Sequence, residues 1–166
     1  MVRMKDAFKK RLASYRPLRI LRQEEAPMFE NLTRYLGELM SCSSFGKCCG
    51  LGAHGTDKDQ APFVSYSKLS LDVLREIYAI VNAHPELRLT KYQSVLEEKG
   101  IEISAKSFEK TDVSVLDGQA VMAMLVCIVR MDRFVEGLLL TFLENGKITE
   151  WIGRLKELDW EEGGTA

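Results

Sequence analysis

The chain of 166 residues has no apolar stretch of the roughly 20 residues that a membrane-spanning helix needs. Its first residues show no apolar core of a secretory signal, and a cytoplasmic location is the expectation. Four prolines and twelve glycines are too few for a disordered or low-complexity chain. The four cysteines, Cys42, Cys48, Cys49 and Cys127, make no framework of evenly spaced pairs, which fits a reducing compartment. There is no G-x-S-x-G, no H-E-x-x-H, no P-loop and no G-x-G-x-x-G. The two histidines, His54 and His84, have no nucleophile and carboxylate close in sequence. No cofactor is expected, and nothing names a reaction.

What is present is one unbroken apolar run, A-V-M-A-M-L-V-C-I-V at residues 120–129. A strand could read this way, but two methionines and two alanines favour helix. The run predicts a central helix over residues 117–131, hydrophobic all round and therefore buried all round. Each large side chain buried on it contributes roughly 1.5–3 kcal/mol. Cys127 reads as a small core side chain. The expected fold is all-α, with six to seven helices around this rod. With 46% hydrophobic and 28% charged residues, the chain has the composition of one globular domain.

Net charge is only −1, but it is unevenly spread. Residues 1–22 hold eight Lys or Arg against one acid, Asp6, a sum of +7 that leaves −8 for the rest. Met4, Phe8, Leu12 and Tyr15 mark one face of a helix there, with Lys5, Lys9, Lys10 and Arg11 on the others. Such an arm can dock on an acidic domain, engage a protein partner, nucleic acid or an anionic surface, or serve as a transit segment. Only Phe8 and Tyr15 are available for base stacking. The expected organisation is this arm, one helical domain over residues 23–160, and a tail at 161–166.

Within the domain, a helix is expected to start near Pro27, with Phe29, Leu32, Tyr35, Leu36 and Leu39 as its stripe. Residues 41–62 form a long Cys/Gly-rich loop. Cys42, Cys48, Cys49 and His54 are weak metal-ligand candidates, because the spacing C-x5-C-C-x4-H is not that of paired zinc ligands. Redox chemistry at Cys48 or Cys49 is the other option. Phe63 and Val64 look extended, and so does the alternating Ile101-Glu102-Ile103, for which the sequence offers no sheet partner beyond, at most, Phe63 and Val64. Ser67 or Ser70 caps a helix bearing Leu71, Leu74, Ile77, Tyr78 and Val81. Thr90 is expected to cap a short helix that Gly100 terminates. The stretch 104–115 reads as irregular or a short helical turn.

After the central helix comes R-M-D-R-F-V-E-G, residues 130–137. Asp132 reads as an N-cap, with Glu136 early in the helix that follows. Phe134, Leu138, Leu139 and Phe142 would be that helix's buried stripe. Gly137 inside it would cost about 1 kcal/mol against alanine, explained by close approach to the central helix. Gly146 ends it, and Ile148, Trp151, Ile152, Leu155 and Leu158 describe a last amphipathic helix.

This C-terminal third resembles a prokaryotic helical domain family of unknown function. That family's signature is R-x-x-R-F-x-E-G, then Gly, Ile and R-L-x-x-L. Here it falls on Arg130, Arg133, Phe134, Glu136, Gly137, Gly146, Ile148, Arg154, Leu155 and Leu158. The resemblance implies a fold but no catalytic residues. Arg130, Arg133, Glu136 and Arg154 are the candidate binding residues. They form either an ion-pair clamp, with Arg133 and Glu136 paired three apart, or a cationic pocket for a carboxylate or phosphate. The leading expectation is a cytoplasmic binding or regulatory module working through protein contact, with the basic N-terminal helix and its Lys5, Lys9, Lys10 and Arg11 as the recognition element. The alternatives are the Arg130/Arg133/Glu136 pocket, as receptor or enzyme, and nucleic-acid binding through the arm.

Overall fold

The computed structural model describes residues 26–49 and 63–163. Among them the protein is predominantly α-helical, with one small two-stranded sheet. The chain opens with α1 (Glu30–Thr33) and α2 (Leu36–Ser41), then the strands β1 (Gly46–Cys49) and β2 (Phe63–Tyr66). Next come α3 (Lys68–Ala83), two 3-10 turns at Pro85–Leu87 and Leu89–Lys91, and α4 (Tyr92–Glu98). The remainder is α5 (Ala105–Lys110), a 3-10 turn at Val113–Val115, α6 (Gly118–Met131), α7 (Leu138–Glu144) and α8 (Lys147–Gly163).

Helix α6 is the rod the sequence predicts. Residues 120–129 are all buried, because α3, α4, α7 and α8 pack around it. Its N-terminus is capped by Asp117, whose carboxylate accepts from the Ala120 N–H at 2.8 Å. Gly118 is required there for space. A Cβ on it would lie 2.7 Å from the Phe29 ring. Trp151 of α8 fills the core beside Phe108 and Phe142, at ring-centroid distances of 6.1 and 5.6 Å. Asp159, further along α8, is buried and accepts from the Phe29 N–H at 3.2 and 3.3 Å. It supplies the first helix with an acceptor that its own N-cap, Phe29, cannot.

Several sequence expectations are corrected. The helix expected from Pro27 is two short helices, broken at Arg34 and Tyr35. The loop 41–62 is not wholly irregular, since Gly46–Cys49 is a strand. It pairs antiparallel with Phe63–Tyr66 in the register Gly46↔Tyr66, Cys48↔Val64. Gly46 permits that pairing, because a Cβ would sit 2.8 Å from the Ser65 carbonyl oxygen. Ser67 is the cap of α3, while buried Ser70 donates to the Phe45 carbonyl and ties the helix to the start of the hairpin. Thr90 does not cap α4. It lies in a 3-10 turn, and α4 starts at Tyr92 without a side-chain cap. The stretch 104–115 contains α5, capped by Ser104. The last helix runs on to Gly163, into the expected tail. No described helix is long and apolar enough to cross a membrane.

Candidate functional site

The site is the segment between α6 and α7. Its backbone keeps turning helically past Met131: Arg133, Phe134 and Val135 donate to carbonyls three or four residues back, at 2.9–3.3 Å. Gly137 then adopts φ +85°, a left-handed conformation that turns the chain into α7. Helix α7 therefore starts at Leu138, after the glycine and not around it. The expectation of Gly137 inside a helix, packed closely on α6, is corrected on that ground. A Cβ there would meet only Val64, at 3.6 Å.

The two acids of the segment tie it to the rest of the fold, Asp132 from a partly buried position and Glu136 at the surface. Asp132 accepts from the Leu139 N–H at 3.0 Å and from the Tyr66 hydroxyl at 2.8 Å. It does cap the next helix, but from five residues before the N-cap position, where Gly137 has no side chain to offer. Burial and the bond to Asp132 push the Tyr66 phenol pKa up, so the ring keeps its proton. Glu136 accepts from the Val64 N–H of β2 at 2.8 Å. That N–H lies on the strand's outer edge, and the carboxylate satisfies it. Arg133 and Glu136 do not pair, because Glu136 is committed to β2 and the chain leaves helical geometry before it.

The three residues between these acids face outward. Phe134 is 89% exposed and Val135 about half exposed, so Phe134 is not part of the buried stripe. Arg133 is exposed. Phe63, next to Val64 on β2, is a second exposed aromatic close to this loop.

Arg130 sits one turn back. Its guanidinium lies over the Tyr92 ring, 5.7 Å from the centroid. Its Nε is buried and has no hydrogen-bond acceptor. Among the described arginines, Arg34, Arg75, Arg88 and Arg154 each engage a carboxylate. Arg130 and Arg133 engage none.

Arg154 is not with them. Its Nε donates to the Leu116 carbonyl at 3.2 Å, and its Nη1 reaches Glu157 and Glu161. Leu116 precedes α6 and Arg130 is in its last turn, so the two arginines stand at opposite ends of a helix about 20 Å long. The four signature residues thus divide into an exposed Arg133, an Arg130 laid over Tyr92, a structural glutamate and a remote arginine.

The cysteine loop gathers no metal set among the described residues. Cys42, Cys48, Cys49 and Cys127 are free thiols. Cys48 and Cys49 are neighbours on β1, so they point to opposite faces and cannot share one ion. Burial raises the Cys127 thiol to about 11, which leaves it protonated and unreactive. His54, and Lys5, Lys9, Lys10 and Arg11 of the arm, lie outside the described residues.

The long-range partners of both acids are not legible in the sequence. They are a strand N–H and a phenol some 70 positions away, and no local spacing rule reaches that far. The D-R-F-V-E order carried one usable signal, an aromatic and an arginine bracketed by two acids.

Neither curated proteins nor solved structures yield a match. The family comparison does: a model covering residues 26–161, from just before α1 to near the end of α8, places this chain in DUF6508, a family of unknown function.

Proposed function

We propose that this chain is a binding module, not a catalyst, and that it acts in the cytoplasm by contact with a protein partner. The contact surface is the outward side of the α6–α7 segment: Arg133, Phe134 and Val135. The observation that carries this is Phe134, 89% exposed on a loop held at Asp132 and at Glu136. A scattered exposed apolar residue needs no explanation. An aromatic beside an unpaired arginine on a pre-ordered loop is different. Aromatics and arginines dominate binding hot spots, and a fixed loop loses little entropy on association. The four free thiols suit a reducing compartment. A ligand pocket oriented by Glu136 is less favoured, since that carboxylate is engaged with Val64.

The test is a pull-down from extract of the source cells with the full chain, with Phe134→Ala, and with a chain lacking residues 1–22. Phe134→Ala is expected to lose a partner that the full chain retains, with an unchanged melting temperature. If it keeps every partner and only the shortened chain loses them, the basic arm is the contact element and this reading is wrong.

A further inference from the structure

Arg130 and Arg133 are the two described arginines without a carboxylate, and they are three residues apart. The backbone between them continues the helical turn, Arg133 N–H to Arg130 carbonyl at 3.3 Å. Positions three and four apart on such a turn share one side. Arg130, Arg133 and Phe134 therefore lie on one face. They belong to a domain that is net acidic once residues 1–22 are set aside, so an unpaired cationic spot there is not a general surface property.

The Arg130 guanidinium is placed by packing on Tyr92 and not by any protein acceptor. Held over the ring with no described carboxylate beside it, the guanidinium can receive a carboxylate through two of its N–H groups. Its buried Nε is closed to a ligand in this arrangement, so the terminal nitrogens are the available donors. Arg133 adds a second charge, and Phe134 and Val135 add apolar surface beside it.

We propose that Arg130, Arg133 and Phe134 together receive an acidic segment of the partner protein, a stretch carrying a carboxylate beside apolar side chains. This rests on the partner-binding reading above and names what that surface recognises. Two cations and an exposed aromatic suit such a segment better than a nucleic-acid backbone, whose binding draws on many phosphate contacts.

The test uses the full chain and nuclear magnetic resonance of its arginine Nε–H and aromatic signals. The probes are a capped peptide of alternating leucine and glutamate, the same peptide with glutamine for glutamate, and inorganic phosphate. The glutamate peptide is expected to shift Arg130, Arg133, Tyr92 and Phe134 and to bind about tenfold more tightly than the glutamine peptide. Arg130→Gln should abolish that preference, and Arg133→Gln, at an exposed position, should weaken it without changing the melting temperature.

Equal binding of the two peptides overturns the carboxylate assignment. So does the absence of any shift, or phosphate shifting both arginines as strongly while Phe134 stays still. In each of these cases loss of the partner by Phe134→Ala would still stand. If that loss itself is not seen, the partner-binding reading fails, whatever the peptides do.

Discussion

Tyr66 and Asp132 stand 66 positions apart and share a hydrogen bond of 2.8 Å, phenol to carboxylate. The second oxygen of the same carboxylate holds the Leu139 N–H. One side chain thus fixes the hairpin, the α6–α7 loop and the start of α7. Asp132→Ala leaves both donors without their acceptor and should cost about 2–3 kcal/mol, whereas Tyr66→Phe removes one bond and should cost about 1 kcal/mol. Urea denaturation of the two variants checks the order, and equal losses would contradict it.

The same pair sets an alkaline limit. Burial and the Asp132 carboxylate hold the Tyr66 phenol above its ordinary value of 10.0. Above pH 10 the unfolded chain loses this proton while the folded chain keeps it. The contribution is therefore complete below pH 10 and is lost as pH rises further. Unfolding free energies measured across that range should fall more steeply for the parent than for Tyr66→Phe.

Gly137→Ala separates two accounts of the motif. Inside a helix, alanine would stabilise by about 1 kcal/mol. At φ +85° it should destabilise by about 1–2 kcal/mol, because a Cβ is strained in that region. Equilibrium unfolding gives the sign directly.

Gly118→Ala should also destabilise, by about 1–3 kcal/mol, because the new methyl group meets the Phe29 ring. In a Phe29→Ala background the obstruction is gone, and the substitution should become neutral or favourable as helix propensity takes over. A double-mutant cycle reads this coupling.

Asp159 predicts an effect of the opposite hand to that of most carboxylates. Burial raises its pKa, the Phe29 N–H lowers it in part, and Glu162 and Glu30 raise it again, for a net rise above 3.8. The folded chain takes up this proton before the unfolded chain does. Stability from this group therefore increases as pH falls toward 3.8 and declines as pH rises through the folded value. Asp159→Asn keeps an oxygen for the Phe29 N–H but has no such titration. The stability of the parent relative to this variant should improve on acidification from about neutral to about pH 4. An improvement in the other direction would contradict the assignment.

The central helix was legible because burial on every side leaves no polar position to break the run. Gly100 and Gly146 were legible as terminators, and their φ values of +70° and +81° show why no other residue serves so well. Strand β1 was not legible. Its four residues G-K-C-C are too few and too mixed to show alternation, and its pairing depends on a partner strand beyond residue 62. For the α6–α7 segment, the sequence pointed to the residues but not to their directions. The three-apart pairing rule assumes continuous helix, and the helix ends before Glu136. Asp132 was identified as a cap, and only its distance from the capped turn was misplaced.

Helix α8 packs on α1 and α2 as well as on α6, and through Asp159 it completes the first turn of the described chain. Synthesis delivers these partners in the wrong order for early closure. The opening helices leave the ribosome long before the one that seats them, and the apolar rod follows with one flank still uncovered. Until α8 is made, the apolar flank of α6 that it covers stays exposed, and surface of that kind is prone to aggregation.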